Sequence, residues 1–435
     1  MPQPPDQSIS QSGDDIHNQP LNNRIFYGWW IVLGAMAILA ITSGFGFFGH
    51  GLILDPLQEQ FGWSKGAISS AITLLFLISA MMGPFVGEQV DRHGPTRAMM
   101  IGAFIMGLGF IFLSRINLLW QLFAVYFLMG IGQSATHNIP VSTVVANWFI
   151  RKRGLAMSIA MAGLSIGGIV VVPLASQAIY RWGLNTSLSV FGLTYWVVII
   201  PVALFLLKQR PSVMGLLPDG EPLTSSSDGG SKSSIDYATQ REVWTRREAM
   251  GTKAFWAIVF AFLFGISGQM SFLMHEVSFM SQFVGPTRAA AAISITSGAS
   301  LLGRFFMGAV VDRFDKRVMI MLCFFIQSAA MLTAGFSSQV VILYICVFAF
   351  GLTMGNVVLL QSLIIGECFG QVSFGTVFGL AGLFISSVSS FGPMIAGFIY
   401  DATQSYRIAF SIFAAMSAFA TLFLIYAIPP RKKSN

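Results

Sequence analysis

The chain has 435 residues, of which 54% are hydrophobic and only 10% charged. A water-soluble core cannot absorb that balance, so the composition excludes a soluble domain and defines a polytopic membrane protein. The net charge of +7 falls in short basic clusters between apolar runs, a topological pattern that offers no basic, aromatic-laced surface to nucleic acid.

In chain order, residues 1–23 contain no Lys or Arg and are rich in Gln, Ser, Asp and Pro. They lack the basic region of a signal peptide, and residues 1–26 are expected to form a disordered cytoplasmic tail. Apolar runs long enough to cross about 30 Å of hydrocarbon lie near 27–55, 67–86, 98–114, 118–147, 154–180 and 186–207. Six more lie near 254–283, 289–311, 318–336, 339–368, 375–400 and 406–428. The expected organisation is therefore an all-α membrane protein of twelve transmembrane helices. Residues 27–207 form one six-helix bundle and 254–428 a second, pseudo-symmetric one. They are joined by a polar cytoplasmic linker at 208–253 and followed by a basic cytoplasmic tail at 429–435.

Orientation follows from positive charge. Nineteen of the 25 Lys and Arg residues fall in the tails and even-numbered loops, five in odd-numbered loops, and the last is Arg304, inside a span. That places both termini in the cytoplasm. Short loops further suggest a bacterial inner membrane. Cys323, Cys346 and Cys368 form no CxxC pair, and the five His residues show no HxxxH or HExxH spacing. Neither a metal, a cofactor nor enzymatic chemistry is expected.

The two halves carry an internal repeat. Gly87, Asp91 and Arg92 recur at one fixed offset as Gly308, Asp312 and Arg313, and Gly130 and Gly154 recur at Gly351 and Gly375 with the same offset. Duplicated six-span units favour a substrate path between the halves.

Gly87-Glu88-Gln89-Val90-Asp91-Arg92-His93-Gly94-Pro95-Thr96-Arg97 resembles the signature loop of the major facilitator superfamily, G-x-x-x-D-R-x-G-x-x-x-R. The resemblance implies a cytoplasmic gate at Asp91, Arg92, Asp312 and Arg313. Asp91 is expected against the helix start near Gly375 and Asp312 against that near Gly154, where helix N-termini attract anions. The alternative is a pair of ordinary solvated topogenic loops. A narrower resemblance, to monocarboxylate porters and the related oxalate/formate antiporters, rests on Asn147-Trp148-Phe149-Ile150-Arg151-Lys152-Arg153-Gly154-Leu155-Ala156, on Tyr27-Gly28-Trp29-Trp30 and on Phe61-Gly62-Trp63-Ser64.

Arg304 stands four residues before Gly308, where monocarboxylate porters carry a substrate-binding arginine. A guanidinium there can hold a carboxylate through two parallel hydrogen bonds, whereas a structural arginine would snorkel to the surface or pair with an acid. The sequence departs from the family at Ser300, where some members have an acid, and in 375–399, which holds no charge where dicarboxylate antiporters carry a lysine. One buried cation suits one carboxylate.

His137, Asn138, Asn356 and Gln361 complete the expected substrate-binding set. His50, His275 and Glu276 are the proton-coupling candidates, expected to face one another across an outer vestibule. The function expected is secondary active transport of a small monocarboxylate such as lactate or pyruvate, by proton-coupled symport with alternating access, by a monomer in the lipid bilayer. A carboxylate exchanger, an exporter of amphipathic compounds and a transporter-like sensor are the alternatives.

Overall fold

The structure, a computed structural model, describes residues 26–150, 152–208, 211–214, 219, 244–370 and 373–430. The tail before Phe26, most of the 208–253 linker and the last five residues lie outside the described residues, so the expectations placed on them have no structural counterpart here.

The described residues fold into helices, with short 3-10 and π-helical turns and no strand. Eleven helical stretches are long and apolar enough to cross a membrane. Span 1 is Gly28–Phe61, span 2 is Lys65–His93 and span 3 is Pro95–Leu113. Spans 5 and 6 are Gly154–Trp182 and Leu184–Leu206. The second half comprises span 7 (Lys253–Val284), span 8 (Pro286–Val310), span 9 (Lys316–Phe336), span 10 (Val340–Phe369), span 11 (Gly375–Thr403) and span 12 (Tyr406–Tyr426).

The fourth crossing, read from the sequence as one run, is two helices, Leu119–Thr136 and Asn138–Trp148, broken at His137 with φ −96° and ψ −132°. Pro140 supplies the reason. Its ring clashes with the carbonyl four residues back, that of Thr136, and it has no N–H to bond there. The second piece thus starts a fresh helix N-terminus inside the apolar layer.

The repeat read in the sequence has a packing counterpart. A Cβ on Gly130 would lie 2.7 Å from the Leu75 carbonyl oxygen, and one on Gly351 would lie 2.5 Å from that of Thr296. Both members of the second pair follow those of the first at the offset of the repeat. The same close approach therefore joins span 4 to span 2 and span 10 to span 8.

The two halves meet through span 2 against span 11, span 1 against span 7 and span 5 against span 8. Gly66 and Gly397, Gly51 and the Met274 backbone, and Gly168 and Ser297 mark these contacts.

Candidate functional site

Arg304 lies in span 8, eighteen residues beyond Pro286, or about 27 Å along the helix at 1.5 Å per residue. It is half-buried. Its Nε donates to the Gly355 carbonyl oxygen in span 10 at 3.4 Å. The position needs glycine opposite, since a Cβ on Gly355 would come 2.8 Å from Nε and 2.5 Å from the Ser300 Oγ. Among the described residues no carboxylate pairs with Arg304. A guanidinium has five N–H donors, so most remain free for an anion.

Ser297, seven residues before Arg304, lies on the same side of the helix, and its hydroxyl meets Gly168 of span 5. Arg304 follows two turns farther along that side of the helix.

Two expected site residues sit around it differently. Asn356 is brought to the span 8–span 10 seam. Its Nδ2 donates to the Leu352 carbonyl at 2.8 Å, and its buried Oδ1 has no partner, like the Ser300 Oγ one turn before Arg304. Gln361 is five residues on, so it points to another side of span 10, and the structure does not join it to Arg304.

His137, at the break in span 4, follows Leu119 by eighteen residues, the same depth from that end as Arg304. Its Nδ1 lies 3.4 Å from the Thr42 Oγ1, and its ring stacks on Phe47 at 6.4 Å, both in span 1. Asn138 beside it is exposed. No contact joins His137 to Arg304; each is on its own half, at a common level.

The vestibule expected between His50 and His275–Glu276 is absent in this conformation, because the halves are packed together at that end. His50 is buried in its own half, with Nδ1 3.3 Å from the Tyr126 hydroxyl and its ring against Phe110 and Phe76. His275 has Nδ1 3.1 Å from the Tyr406 hydroxyl, and Nε2 2.9 Å from the Pro393 carbonyl and 3.3 Å from Ser69 Oγ. Pro393 offers only an acceptor, so Nε2 carries the proton. Glu276 turns toward span 8, where the Thr296 hydroxyl donates to Oε1 at 2.7 Å and Oε2 has no partner.

Around His275 lies a cluster that sequence reading missed. The Lys65 ammonium sits 2.9 Å from the Asp55 Oδ1, donates to Ser278 Oγ and to the Tyr406 hydroxyl, and stands 4.2 Å from the centre of the Tyr400 ring. Ser278 and Ser281 donate to the Asp55 carboxylate at 2.5 and 3.1 Å. Thr73, two turns beyond Lys65, donates to the Ser390 carbonyl at 2.8 Å. Lys65, Ser69 and Thr73 are four residues apart, one stripe of span 2 facing the other half. The available signal was that spacing of polar residues, of which only Lys65 was read, as a loop charge.

The opposite end differs. Nothing lies within 4 Å of a Cβ placed on Gly154 or Gly375, the two helix starts where acids were expected. Arg92 is exposed and paired with Glu88 at 2.5 Å, and Arg313 is exposed. The side chains of Asp91 and Asp312 lie outside what the structure describes.

Two repeated helical halves, packed together where Lys65 and Asp401 meet, with a cation inside a span, define a membrane carrier. The chain belongs to the Major Facilitator Superfamily, whose family model matches residues 36–295 and 275–435. It is 31% identical over 183 residues to the oxalate:formate antiporter of Oxalobacter formigenes, a match spanning 42% of either chain, less than half of that relative's length. It is 24% identical over 376 residues to the agnestins efflux protein of Paecilomyces divaricatus, covering 84% of this chain and 79% of that one. Among solved structures, a bacterial homologue of the human lysosomal transporter Spinster, inward-facing and unoccupied, superposes with a TM-score of 0.64 at 16% identity over 92% of this chain and 95% of that one, a likeness of fold.

Proposed function

We propose that this transporter carries a small monocarboxylate of the lactate or pyruvate type, in symport with a proton. The observation that carries the reading is Arg304: a half-buried guanidinium within span 8, with one backbone hydrogen bond and no acid partner among the described residues. A cation within a span, kept without an acid partner, is built for an anion from outside. His137, at the same depth on the opposite half, completes the site from the other wall, with Asn138 beside it and Asn356 behind Arg304. Gln361 is the weakest member of the set.

With the positive-inside orientation, both termini are cytoplasmic and the end carrying Gly154 and Gly375 faces the cytoplasm. Asp91, Arg92, Asp312 and Arg313 would then close on the helix starts at Gly375 and Gly154 in the other half of the cycle. Glu276 and His50 are the proton carriers this geometry favours over His275, because the Glu276 Oε2 and the His50 Nε2 are each buried without a protein partner, whereas both ring nitrogens of His275 are engaged. An anion moving with one proton avoids the work of about 2.3 kcal/mol per charge per 100 mV.

Carboxylate exchange is the second reading, favoured by the likeness to an oxalate:formate antiporter. The test is uptake of labelled lactate into proteoliposomes under an inward proton gradient, with Arg304→Ala alongside. Gradient-driven uptake lost in the variant supports the proposal. Uptake that needs internal carboxylate and ignores the gradient replaces symport by exchange, and binding of neutral amphipathic compounds unaltered in Arg304→Ala replaces both by export.

A further inference from the structure

We propose that Lys65 and Asp401 are the gate residues that close the carrier at the end opposite its signature loops, and that they do so by a device shared with the expected gate at the other end: an acid of one half docked on a helix start of the other.

Span 2 begins at Lys65, so the first N–H groups of that helix have no partner within it. Ser64 caps one, its Oγ accepting from Ala67 N at 3.1 Å. The other two are capped from across the molecule, where the Asp401 carboxylate accepts from Lys65 N at 3.0 Å and from Gly66 N at 2.7 Å. Asp401 lies two residues before Thr403, at the end of span 11. A negative charge is unfavourable at the C-terminal end of its own helix and favourable at the N-terminal end of another. Closure therefore offsets the unfavourable place of Asp401 on its own helix with a favourable one at the start of span 2.

Lys65 ties the same seam through its side chain. It is 4% exposed, and its donors reach one acceptor in its own half, Asp55, and two in the other, Ser278 and Tyr406. Parting the halves would strip away two of the three, together with the Tyr400 ring face and both backbone bonds to Asp401. The charged and titratable groups around the seam are Asp55 and Lys65 from spans 1 and 2, His275 from span 7, and Tyr400, Asp401 and Tyr406 from spans 11 and 12. All are engaged in the closed arrangement. The inference does not depend on which solute is carried.

The experiment is a distance measurement between nitroxides at Glu59→Cys and Thr403→Cys, exposed positions on opposite halves at this end, on the full chain in lipid nanodiscs. Cys323, Cys346 and Cys368 are buried and stay in place. The wild-type background is expected to give mainly one short-distance population. Asp401→Asn and Lys65→Met are each expected to raise the longer-distance fraction at least threefold. Where either fails to fold, Ser278→Ala, which deletes only the hydroxyl bridging Lys65 and Asp55, takes its place with the same expectation. Unchanged distributions in folded variants overturn the proposal, as does a wild type already mostly at the longer distance.

Discussion

Gly397 and Gly66 meet backbone to backbone: a Cβ added to Gly397 would lie 2.8 Å from the Gly66 Cα and 2.8 Å from the Lys65 carbonyl oxygen. Neither neighbour is a flexible side-chain tip that could yield, so even one methyl must separate spans 2 and 11 at the closed end. Gly397→Ala is expected to cut transport at least tenfold and to lengthen the distance across this end, while each half stays folded. Transport at the wild-type rate would show that the two spans never come this close during the cycle.

The role given to Arg304 separates charge from shape. Arg304→Lys keeps a cation but loses the planar fork, so affinity for a carboxylate is expected to fall about tenfold, near 1.4 kcal/mol. Arg304→Gln removes the charge and is expected to fall farther, by at least a further factor of ten. Competition binding in detergent reads both; equal affinities in the two variants would argue against ionic recognition.

Asn356 should trade stability for function. Its Oδ1 is buried without a partner, a condition that costs about 1–3 kcal/mol. Asn356→Leu, of similar size, is expected to raise the melting temperature in detergent while lowering transport. A lower melting temperature would mean that the oxygen is satisfied after all.

Asp315 offers a pH test outside the membrane. It caps span 9, accepting from Arg317 N at 2.8 Å, and its carboxylate also holds the Arg317 guanidinium at 3.2 and 2.7 Å. The Arg317 hydrogen bonds hold its pKa below the ordinary carboxylate value. A lowered folded-state pKa stabilises above the ordinary value and is lost as pH falls through the folded-state one. The pair is exposed and screened, so the cap is the larger part, about 1 kcal/mol. The melting-temperature gap between wild type and Asp315→Ala should be steady from pH 8 to 5 and narrow below about pH 4. A gap that widens on acidification would reverse the assignment.

Reading along the chain was enough to find the spans, the duplication and the cation within a span. A long unbroken apolar run has few soluble fates, a fixed offset between two sets of glycines and acids can be counted, and an arginine inside such a run is costly wherever the helix packs. The break in span 4 was legible in Pro140 and went unread, because hydropathy runs through it. Which polar residues meet was a matter for packing alone. Lys65 looked like one loop charge among several, yet its partners Ser278, Asp401 and Tyr406 all belong to the other half of the chain and reach it only because Gly66 and Gly397 let two helices touch. His50 and His275, alike in the sequence as histidines of outer half-spans, part company for the same reason: one is packed among aromatics within its own half, the other is built into the seam. Hydrophobic length acts locally along a chain, whereas hydrogen-bond partnership depends on the rotation and approach of helices, which only packing fixes.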